Sequence, residues 1–326
     1  MQKISAIQDL SSRFNEALKK ENFKGEPISL YEPINYMMSI GGKRMRPVLL
    51  LLACELSGGD INKAMSAAIG IELFHNFTLL HDDIMDNAPL RRGKPTVHSI
   101  YNTDTAILAG DVTFVISCQY LSRVENAISA KVMNIFYDTA IKVCEGQQLD
   151  MIFGESAQVS LEAYLNMIRL KTAVLLGGSL KIGALIGGAS DDVADNLYHI
   201  GVNMGIAFQL QDDILDTFGD PEKFGKKPGG DIVQNKKTFL LLKALETADI
   251  HQKQELEKWI LSKNNDSEKV SAITRIYQSL GVKNEAARVR DKYYKDAVDR
   301  LASLPVPEDK KLLLKNFGLA LLMREH

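Results

Sequence analysis

Two short acidic clusters are the most chemically specific features of this sequence. DDIMD occupies residues 82–86, and DDILD occupies residues 212–216. In each cluster the first and last aspartates are four positions apart, so on a helix they share one face about one turn from each other. Carboxylates this close repel unless a cation lies between them, and Mg²⁺ prefers hard oxygen ligands combined with substrate phosphates. The clusters therefore predict a site for Mg²⁺ and a polyanion.

A single DDxxD sequence could equally be the solvated acidic end of an ordinary helix. Two copies weaken that interpretation, because each follows an apolar stretch and each is followed by basic residues. Arg91, Arg92 and Lys94 follow the first cluster, and Lys226 follows the second. Both signs of charge in one place indicate a metal ion bound to a negatively charged ligand.

Basic residues also stand where a ligand can approach the backbone. The stretch IGGKRMRP (residues 40–47) places Lys43, Arg44 and Arg46 beside two glycines. Glycine permits close approach, and lysine and arginine form charge-assisted hydrogen bonds to phosphate oxygens. A surface turn at the start of a basic helix is the alternative interpretation.

A separate lysine, Lys171, stands beside Thr172 directly before the uncharged stretch 173–180. Burying a lysine without a partner or a function costs free energy. We therefore expect Lys171 to face a cavity between helices.

These residues must be positioned by helices. No proline occurs between Pro95 and Pro221, and an interior proline would destabilise a helix by about 3 kcal/mol. Before the first cluster, apolar residues recur at three- and four-residue steps, with Asp60 as the predicted N-cap. Three further stretches show the same pattern, namely 103–125, 129–152 and 190–218. Strand-like alternation is scarce, so we expect a single all-α domain over residues 1–326.

The composition excludes several classes of protein. The chain has 326 residues, of which 45% are hydrophobic and 25% charged, with a formal net charge of −2. This balance gives no general attraction to nucleic acid or to an anionic membrane. The cysteines, Cys54, Cys118 and Cys144, follow no zinc-binding spacing, which favours reduced, buried thiols in a cytoplasmic protein. The start of the sequence lacks an apolar signal core, and the most apolar run is interrupted by Lys181, so we predict no membrane span.

As a set, these motifs resemble the trans-isoprenyl diphosphate synthases of short-chain type. GGKRMRP, DDIMD with RRGKPTVH, AGD, KT and FQLQDDILD stand in that family's order, from about Gly41 to Thr238. The resemblance implies an all-α isoprenoid synthase fold, a bundle of long antiparallel helices around a central cavity. It also implies a homodimer that requires Mg²⁺, with three ions per site.

The resemblance assigns a role to each motif residue. The first and last aspartates of each cluster would bind magnesium, and the middle ones would support them through water or hydrogen bonds. The predicted metal site is Asp82, Asp83, Asp86, Asp212, Asp213 and Asp216. Isopentenyl diphosphate would be bound by Gly42, Lys43, Arg46, His75 and Arg92. The allylic diphosphate would be bound by Arg91, Lys171, Thr172, Gln209, Lys226 and Lys236. The catalytic residues would be Asp82, Asp86, Lys171, Thr172, Gln209 and Asp212. Without the resemblance, His75 would more simply be a core histidine.

The resemblance also implies the reaction. Neutralising the leaving diphosphate allows the allylic C–O bond to ionise. The Thr172 hydroxyl, the Gln209 side chain and the backbone carbonyl of Lys171 would stabilise the cation. The double bond of isopentenyl diphosphate then attacks, and the released diphosphate takes the proton. Closure of the GKKPGGD loop would exclude water.

The length of the product would be set just upstream of DDIMD. Phe77 lies five positions before Asp82, about 7 Å along the helix axis, and Thr78 is next to it. One aromatic residue at the deeper position resembles the synthases that make the twenty-carbon product, geranylgeranyl diphosphate. We expect that product in preference to the fifteen-carbon farnesyl diphosphate.

Three other functions need to be distinguished. A longer-chain polyprenyl diphosphate synthase is the nearest alternative, and Phe77 argues against it. A terpene cyclase binds one diphosphate, which would leave GGKRMRP without a purpose. A non-catalytic partner subunit usually lacks aspartates from one or both clusters, whereas this chain keeps all six.

Overall fold

The structure, a computed structural model, describes residues 2–220, 228–262 and 266–323. Helices dominate these residues, so the all-α prediction is confirmed. The helices are α1 (Gln2–Lys20), α2 (Ile28–Ser39), α3 (Met45–Leu56), α4 (Ile61–Met85), α5 (Val97–Tyr101), α6 (Thr103–Leu121), α7 (Asn126–Glu155), α8 (Leu161–Ile168), α9 (Val174–Ile186), α10 (Asp191–Phe218), α11 (Gly230–Val233), α12 (Phe239–Thr247), α13 (Ile250–Leu261), α14 (Asp266–Ser279), α15 (Val282–Ala302) and α16 (Glu308–Leu322). A π-helical turn, Arg169–Ala173, joins α8 to α9.

The predicted helices form close to their expected limits. The stretch predicted at 103–125 is α6, that at 129–152 is α7, and that at 190–218 is α10. Asp60 is the N-cap of α4, as predicted, because its side-chain oxygen accepts a hydrogen bond from the Asn62 N–H at 2.9 Å. Helix α4 then runs without interruption to the first acidic cluster.

A short hairpin follows that cluster. Strand β1 (Leu90–Arg91) pairs with β2 (Lys94–Pro95) in antiparallel fashion. The two residues between them, Arg92 and Gly93, have φ angles of 54° and 75°. Positive φ at both central residues is what a two-residue type I′ hairpin turn requires. The basic residues after DDIMD are therefore presented by a hairpin.

The chain divides into two compact units, and the first comprises Met1–Tyr137, Gly178–Leu197 and Pro305–Leu314. Its core is built on α3 and α4, where Leu49, Leu50 and Phe74 are completely buried. Close packing explains a glycine on α9, since a Cβ atom at Gly183 would lie 2.0 Å from the Leu50 carbonyl oxygen. The first acidic cluster belongs to this unit.

The second unit comprises Asp138–Gly177, Tyr198–Leu304 and Lys315–His326. Its apolar core includes Tyr164, Leu210, Leu240 and Tyr277, contributed by α8, α10, α12 and α14. The second acidic cluster lies near the end of α10 in this unit. The single domain expected from the sequence stays a prediction.

Two smaller sequence predictions have different outcomes. Among the described residues, no helix combines the length and the apolar character that crossing a membrane requires. The cysteines are free thiols, but the prediction that all are buried was wrong, because Cys144 is exposed and Cys118 is only partly buried. Successive helical residues are rotated by about 100°, so apolar neighbours in sequence do not place a cysteine on the buried face.

Candidate active site

The first acidic cluster ends α4 with its three carboxylates in different environments. The Asp86 N–H donates to the Asp82 carbonyl oxygen at 2.9 Å, which places the two residues one helical turn apart. Asp82 is partly buried and Asp86 is exposed, whereas Asp83 is only 2% exposed. The outer two carboxylates can therefore reach a ligand, and the central one is turned into the protein.

The hairpin holds that central carboxylate. Arg91 donates to both oxygens of Asp83, from Nε and from Nη2, at 2.7 Å each. A two-point guanidinium–carboxylate contact fixes both side chains in one plane. Arg91, predicted to hold the allylic diphosphate, thus also orients the Asp83 carboxylate of the acidic cluster that precedes it in the sequence.

The residues predicted to bind isopentenyl diphosphate come together in the first unit. Arg92, on the hairpin turn, donates to the Gly41 carbonyl oxygen. Its guanidinium covers Gly42, where a Cβ atom would lie 2.6 Å from Nη1. Arg46 places Nη1 3.0 Å from Nε2 of His75 on α4. Lys43, also in the predicted set, is exposed in the same loop.

Electrostatics at this cluster favour an anion. Burial, and then the positive charges of Arg46 and Arg92, lower the pKa of His75 well below its ordinary value of 6.5. Burial also lowers the pKa of Arg46 to about 10. The Nε atom of Arg46 is buried and has no hydrogen-bond partner. Several cationic donors crowded around a neutral histidine are suited to a diphosphate.

The partner that organises this loop was not identified from the sequence. Arg44, in the left-handed region with φ 49°, forms a buried ion pair with Glu72 of α4 at 2.5 Å. Arg44 also donates to the Met38 carbonyl oxygen at 3.0 Å, and Asn76 donates to Glu72 at 3.1 Å. Glu72 is the one acidic residue between Asp60 and Asp82, which was an available signal. Arg44 therefore braces the loop from inside.

The two residues predicted to form the floor differ in their surroundings. The Phe77 ring lies 5.7 Å from that of Phe74 and 5.3 Å from that of Phe114 on α6, measured between centroids. The Thr78 hydroxyl donates to the His75 carbonyl oxygen of its own helix at 2.8 Å. Phe77 is thus part of an aromatic group contributed by two helices, whereas Thr78 is a small neighbour.

The second acidic cluster buries its central aspartate in the same way. Asp213 is 3% exposed, while Asp212 and Asp216 are partly buried. Asp213 accepts hydrogen bonds from the Tyr164 hydroxyl and, at 3.2 Å, from the Phe239 N–H. Burial is the main reason that the pKa of Asp213 is raised to about 7. Neutral donors hold this carboxylate in place of an arginine.

The last aspartate of this cluster organises the segment that follows. The Asp216 side chain accepts from the Asp231 N–H at 2.9 Å, at the first turn of α11. Lys236 is exposed, and its backbone N–H donates to the Asp231 carbonyl oxygen at 2.9 Å. Lys226, also predicted to bind the allylic diphosphate, lies outside the described residues.

The π-helical turn carries Lys171 and Thr172. Lys171 donates from Nζ to Asp150 of α7 at 2.6 Å, and the Thr172 hydroxyl donates to Gln209 of α10 at 3.3 Å. A π turn widens the helix and changes its hydrogen bonding, and such turns are frequent at functional sites.

Two glycines allow other helices to approach this turn closely. A Cβ atom at Gly146 on α7 would lie 2.2 Å from the Lys171 nitrogen. A Cβ atom at Gly205 on α10 would lie 2.6 Å from the Ala173 Cα. Neither glycine nor Asp150 was identified from the sequence, because nothing in the local pattern around them indicates what they face.

Comparisons with known proteins match this arrangement along most of the chain. The family model described as Polyprenyl synthetase matches residues 27–277. A geranylgeranyl diphosphate synthase from Methanosarcina mazei is 41% identical over 245 residues, which cover 74% of this chain and 76% of that protein. A short chain isoprenyl diphosphate synthase from Methanothermobacter thermautotrophicus is 36% identical over 329 aligned residues, which cover 100% of both chains. A crystal structure of a geranylgeranyl pyrophosphate synthase has a TM-score of 0.93 at 40% identity, covering 98% of this chain and 99% of that one.

Proposed function

Because the chain belongs to the polyprenyl synthetase family, we propose that it condenses isopentenyl diphosphate with dimethylallyl, geranyl or farnesyl diphosphate, releasing diphosphate. The family, the isoprenoid synthase fold and a prenyltransferase activity agree with the sequence predictions. The product proposed is geranylgeranyl diphosphate, in preference to farnesyl diphosphate. Relatives named geranylgeranyl diphosphate synthase or geranylgeranyl pyrophosphate synthase support that choice.

The observation that carries this proposal is the cationic cluster of the first unit. Arg46 of α3 contacts His75 of α4, the helix that ends in DDIMD, and Arg92 lies on the hairpin that follows DDIMD. A condensation of two diphosphates needs two binding sites, and the arginines would bind one diphosphate while the carboxylates would bind the other through magnesium. A terpene cyclase has no use for the first of these sites.

The carboxylates fit the magnesium that this family requires. Asp82 and Asp86 are one turn apart and offer only hard oxygen ligands, which suit Mg²⁺ shared with a diphosphate. No group of three or more His, Cys, Asp or Glu side chains among the described residues would hold a metal by itself. Bound magnesium would supply positive charge to the leaving diphosphate. Three ions per site stay a prediction.

The chain's own residues then direct the reaction. Lys171 and Arg91 would bind the allylic diphosphate, and each is paired with a carboxylate, Lys171 with Asp150 and Arg91 with Asp83. The Thr172 hydroxyl and the Gln209 amide would face the developing allylic cation. A neutral His75 would let Arg46 direct its charge toward isopentenyl diphosphate.

The aromatic group around Phe77 supports a short product. Phe74 and Phe77 precede Asp82 on α4, and the Phe114 ring of α6 contacts both of their rings. A growing prenyl tail that follows α4 would meet these rings after a limited number of isoprene units. This argues against the longer-chain alternative.

A homodimer is supported by one face of α6. This helix is rich in apolar residues, and its Ile107, Leu108 and Val115 side chains are exposed, as is Tyr137 on α7. Exposed apolar patches commonly mark protein interfaces. A second copy of the chain would cover this face. A cytoplasmic location stays a prediction.

A product assay tests the proposed function. Purified protein with Mg²⁺, labelled isopentenyl diphosphate and each allylic primer should give a twenty-carbon diphosphate, sized by chromatography after dephosphorylation. Phe77→Ala should shift the products to longer chains, because the tail can then pass the ring group.

Phe23→Ala is the matched control for that variant. It removes a buried ring of the same unit that contacts Tyr120 and not Phe77. Its product length should equal that of the wild type. Absence of elongation with every primer, or release of a cyclic hydrocarbon, would refute the proposed function, and an unchanged length in Phe77→Ala would refute the floor assignment.

A further inference from the structure

A chain of hydrogen bonds in the second unit links the second acidic cluster to the π turn. Building on the proposed function, we propose that Tyr164 is a positioning residue that acts through Asp213 to fix the direction of the Gln209 amide beside Thr172. Tyr164 was not identified from the sequence, and it lies outside the motifs that identify the family.

The hydrogen bonds run without a break from Tyr164 on α8 to Thr172 in the π turn. The Tyr164 hydroxyl donates to Oδ2 of Asp213, and Gln209 donates from Nε2 to Oδ1 of Asp213 at 3.3 Å. The Thr172 hydroxyl in turn donates to Oε1 of Gln209 at 3.3 Å. Tyr164 and Gln209 donate to different oxygens of Asp213, and Gln209 uses its nitrogen toward Asp213 and its oxygen toward Thr172.

Both oxygens of Asp213 are oriented by these contacts. Oδ2 accepts from the Tyr164 hydroxyl and from the Phe239 N–H at 3.2 Å. These two donors come from α8 and from the start of α12, so the carboxylate plane is held from two directions. Oδ1 is thereby left facing Gln209.

A fixed carboxylate determines which way the neighbouring amide points. Gln209 donates from Nε2 to Asp213, so its amide nitrogen faces the carboxylate. The amide oxygen then points the other way, toward Thr172. The negative end of the amide dipole is thus directed to the place where the allylic cation would form. Its stabilisation of the cation is strongest in a site with little water.

Burial makes this orientation depend on Tyr164. Tyr164 and Asp213 are each 3% exposed, so water does not readily replace the phenolic donor. Without the hydroxyl, Asp213 would keep one backbone donor on Oδ2 and could rotate. The Gln209 amide could then turn and present its positive nitrogen to the cation.

The test compares two ligands that differ only in charge. One is an allylic diphosphate analogue with an ammonium group in place of the cationic carbon, and the other is its neutral isostere. In Tyr164→Phe, with Mg²⁺ present, we expect kcat to fall about tenfold and binding of the ammonium analogue to weaken about tenfold. Binding of the neutral analogue and KM for isopentenyl diphosphate should stay within about twofold.

Tyr294→Phe is the matched control. It removes the same hydroxyl from the same unit, where that group donates to the Lys315 carbonyl oxygen at 3.1 Å. It should leave both analogues unaffected. Equal weakening of both analogues in Tyr164→Phe, or no change in either, would overturn the inference.

A second variant covers the case in which Tyr164→Phe does not fold. Asp213→Asn retains the size of the side chain but offers an amide that can donate to Gln209, so the same selective loss of the ammonium analogue is expected. If Asp213→Asn acted by changing magnesium binding, it would weaken the ammonium analogue and the neutral analogue alike, and that result would overturn the inference. A wild-type protein that elongates no primer would refute the proposed function, whereas an active wild type with unselective variants would refute only the role of Tyr164.

Discussion

DDIMD and DDILD differ in one residue, and both bury the central aspartate, with Asp83 2% and Asp213 3% exposed. They do so with different chemistry. Asp83 is bound at two points by a guanidinium, whereas Asp213 is bound by a phenol, a backbone N–H and an amide. The sequence repeats, but the surroundings do not.

The two clusters also differ in how far away their partners lie in the chain. Arg91 is 8 residues from Asp83, on the hairpin that follows α4. Tyr164 is 49 residues from Asp213, and Phe239 is 26 residues from it. The first cluster therefore carries its own support in the local sequence, and the second depends on two segments that are distant in the chain.

Removing the charged partner should produce the largest effect on stability. Arg91→Ala leaves the Asp83 carboxylate buried without a counter-charge, which should lower the free energy of unfolding by about 3 kcal/mol. Tyr164→Phe removes one neutral donor and should lower it by about 1 kcal/mol. Chemical denaturation of the metal-free protein measures both changes.

Lys94→Ala is the control for Arg91→Ala, since Lys94 is exposed on the opposite strand of the same hairpin. It should change the free energy of unfolding by less than about 0.5 kcal/mol. If Arg91→Ala and Tyr164→Phe destabilised the protein equally, the contrast between charged and neutral support would be wrong.

Close packing around the π turn gives the next largest effect. Gly146→Ala would place a methyl group 2.2 Å from the Lys171 nitrogen, and the resulting strain should destabilise the protein by about 2 kcal/mol. Because the turn would have to shift, KM for the allylic diphosphate should also rise. Steady-state kinetics with each substrate varied would show whether the change is confined to the allylic side.

Gly154→Ala on the same helix is the matched control. Nothing lies within 4 Å of a Cβ atom there, so alanine should leave the kinetics unchanged and stabilise α7 by about 0.5 kcal/mol. If Gly146→Ala behaved in the same way, the π turn would not be held by close contact with α7.

A pH dependence of stability is expected at His75, which lies among the arginines of the first unit. His75 stays neutral in the folded protein, because burial and the neighbouring arginines lower its pKa well below 6.5. The unfolded chain binds a proton near that ordinary value, so stability should fall as the pH drops below about 6.5, by up to about 1.4 kcal/mol per pH unit.

His75→Gln should remove this part of the pH dependence, as measured by chemical denaturation between pH 7 and pH 5. His251→Gln, at an exposed position on α13, should retain the slope of the wild type. A parallel slope in His75→Gln and the wild type would show that His75 takes up its proton in the folded state.

Sequence patterns were most informative where the relevant interactions are local. The limits of α4, α6 and α10, the Asp60 cap and the four-residue spacing of the aspartates follow from helical geometry alone. Sequence patterns were least informative about which side of a helix faces the core. Neither the burial of Glu72 nor the exposure of Cys144 follows from neighbouring residues, because the helices that pack against a helix decide which of its sides faces the core.

The amino-acid sequence by itself determined the all-α class, the family and the motif residues, since each rests on residue types a few positions apart. Tertiary structure decided which aspartates face inward, which lysine pairs with Asp150 and which tyrosine orients Asp213. Those choices depend on segments that are distant in sequence and become neighbours only when helices pack. A buried carboxylate must find donors wherever packing supplies them, and packing is a property of the whole unit.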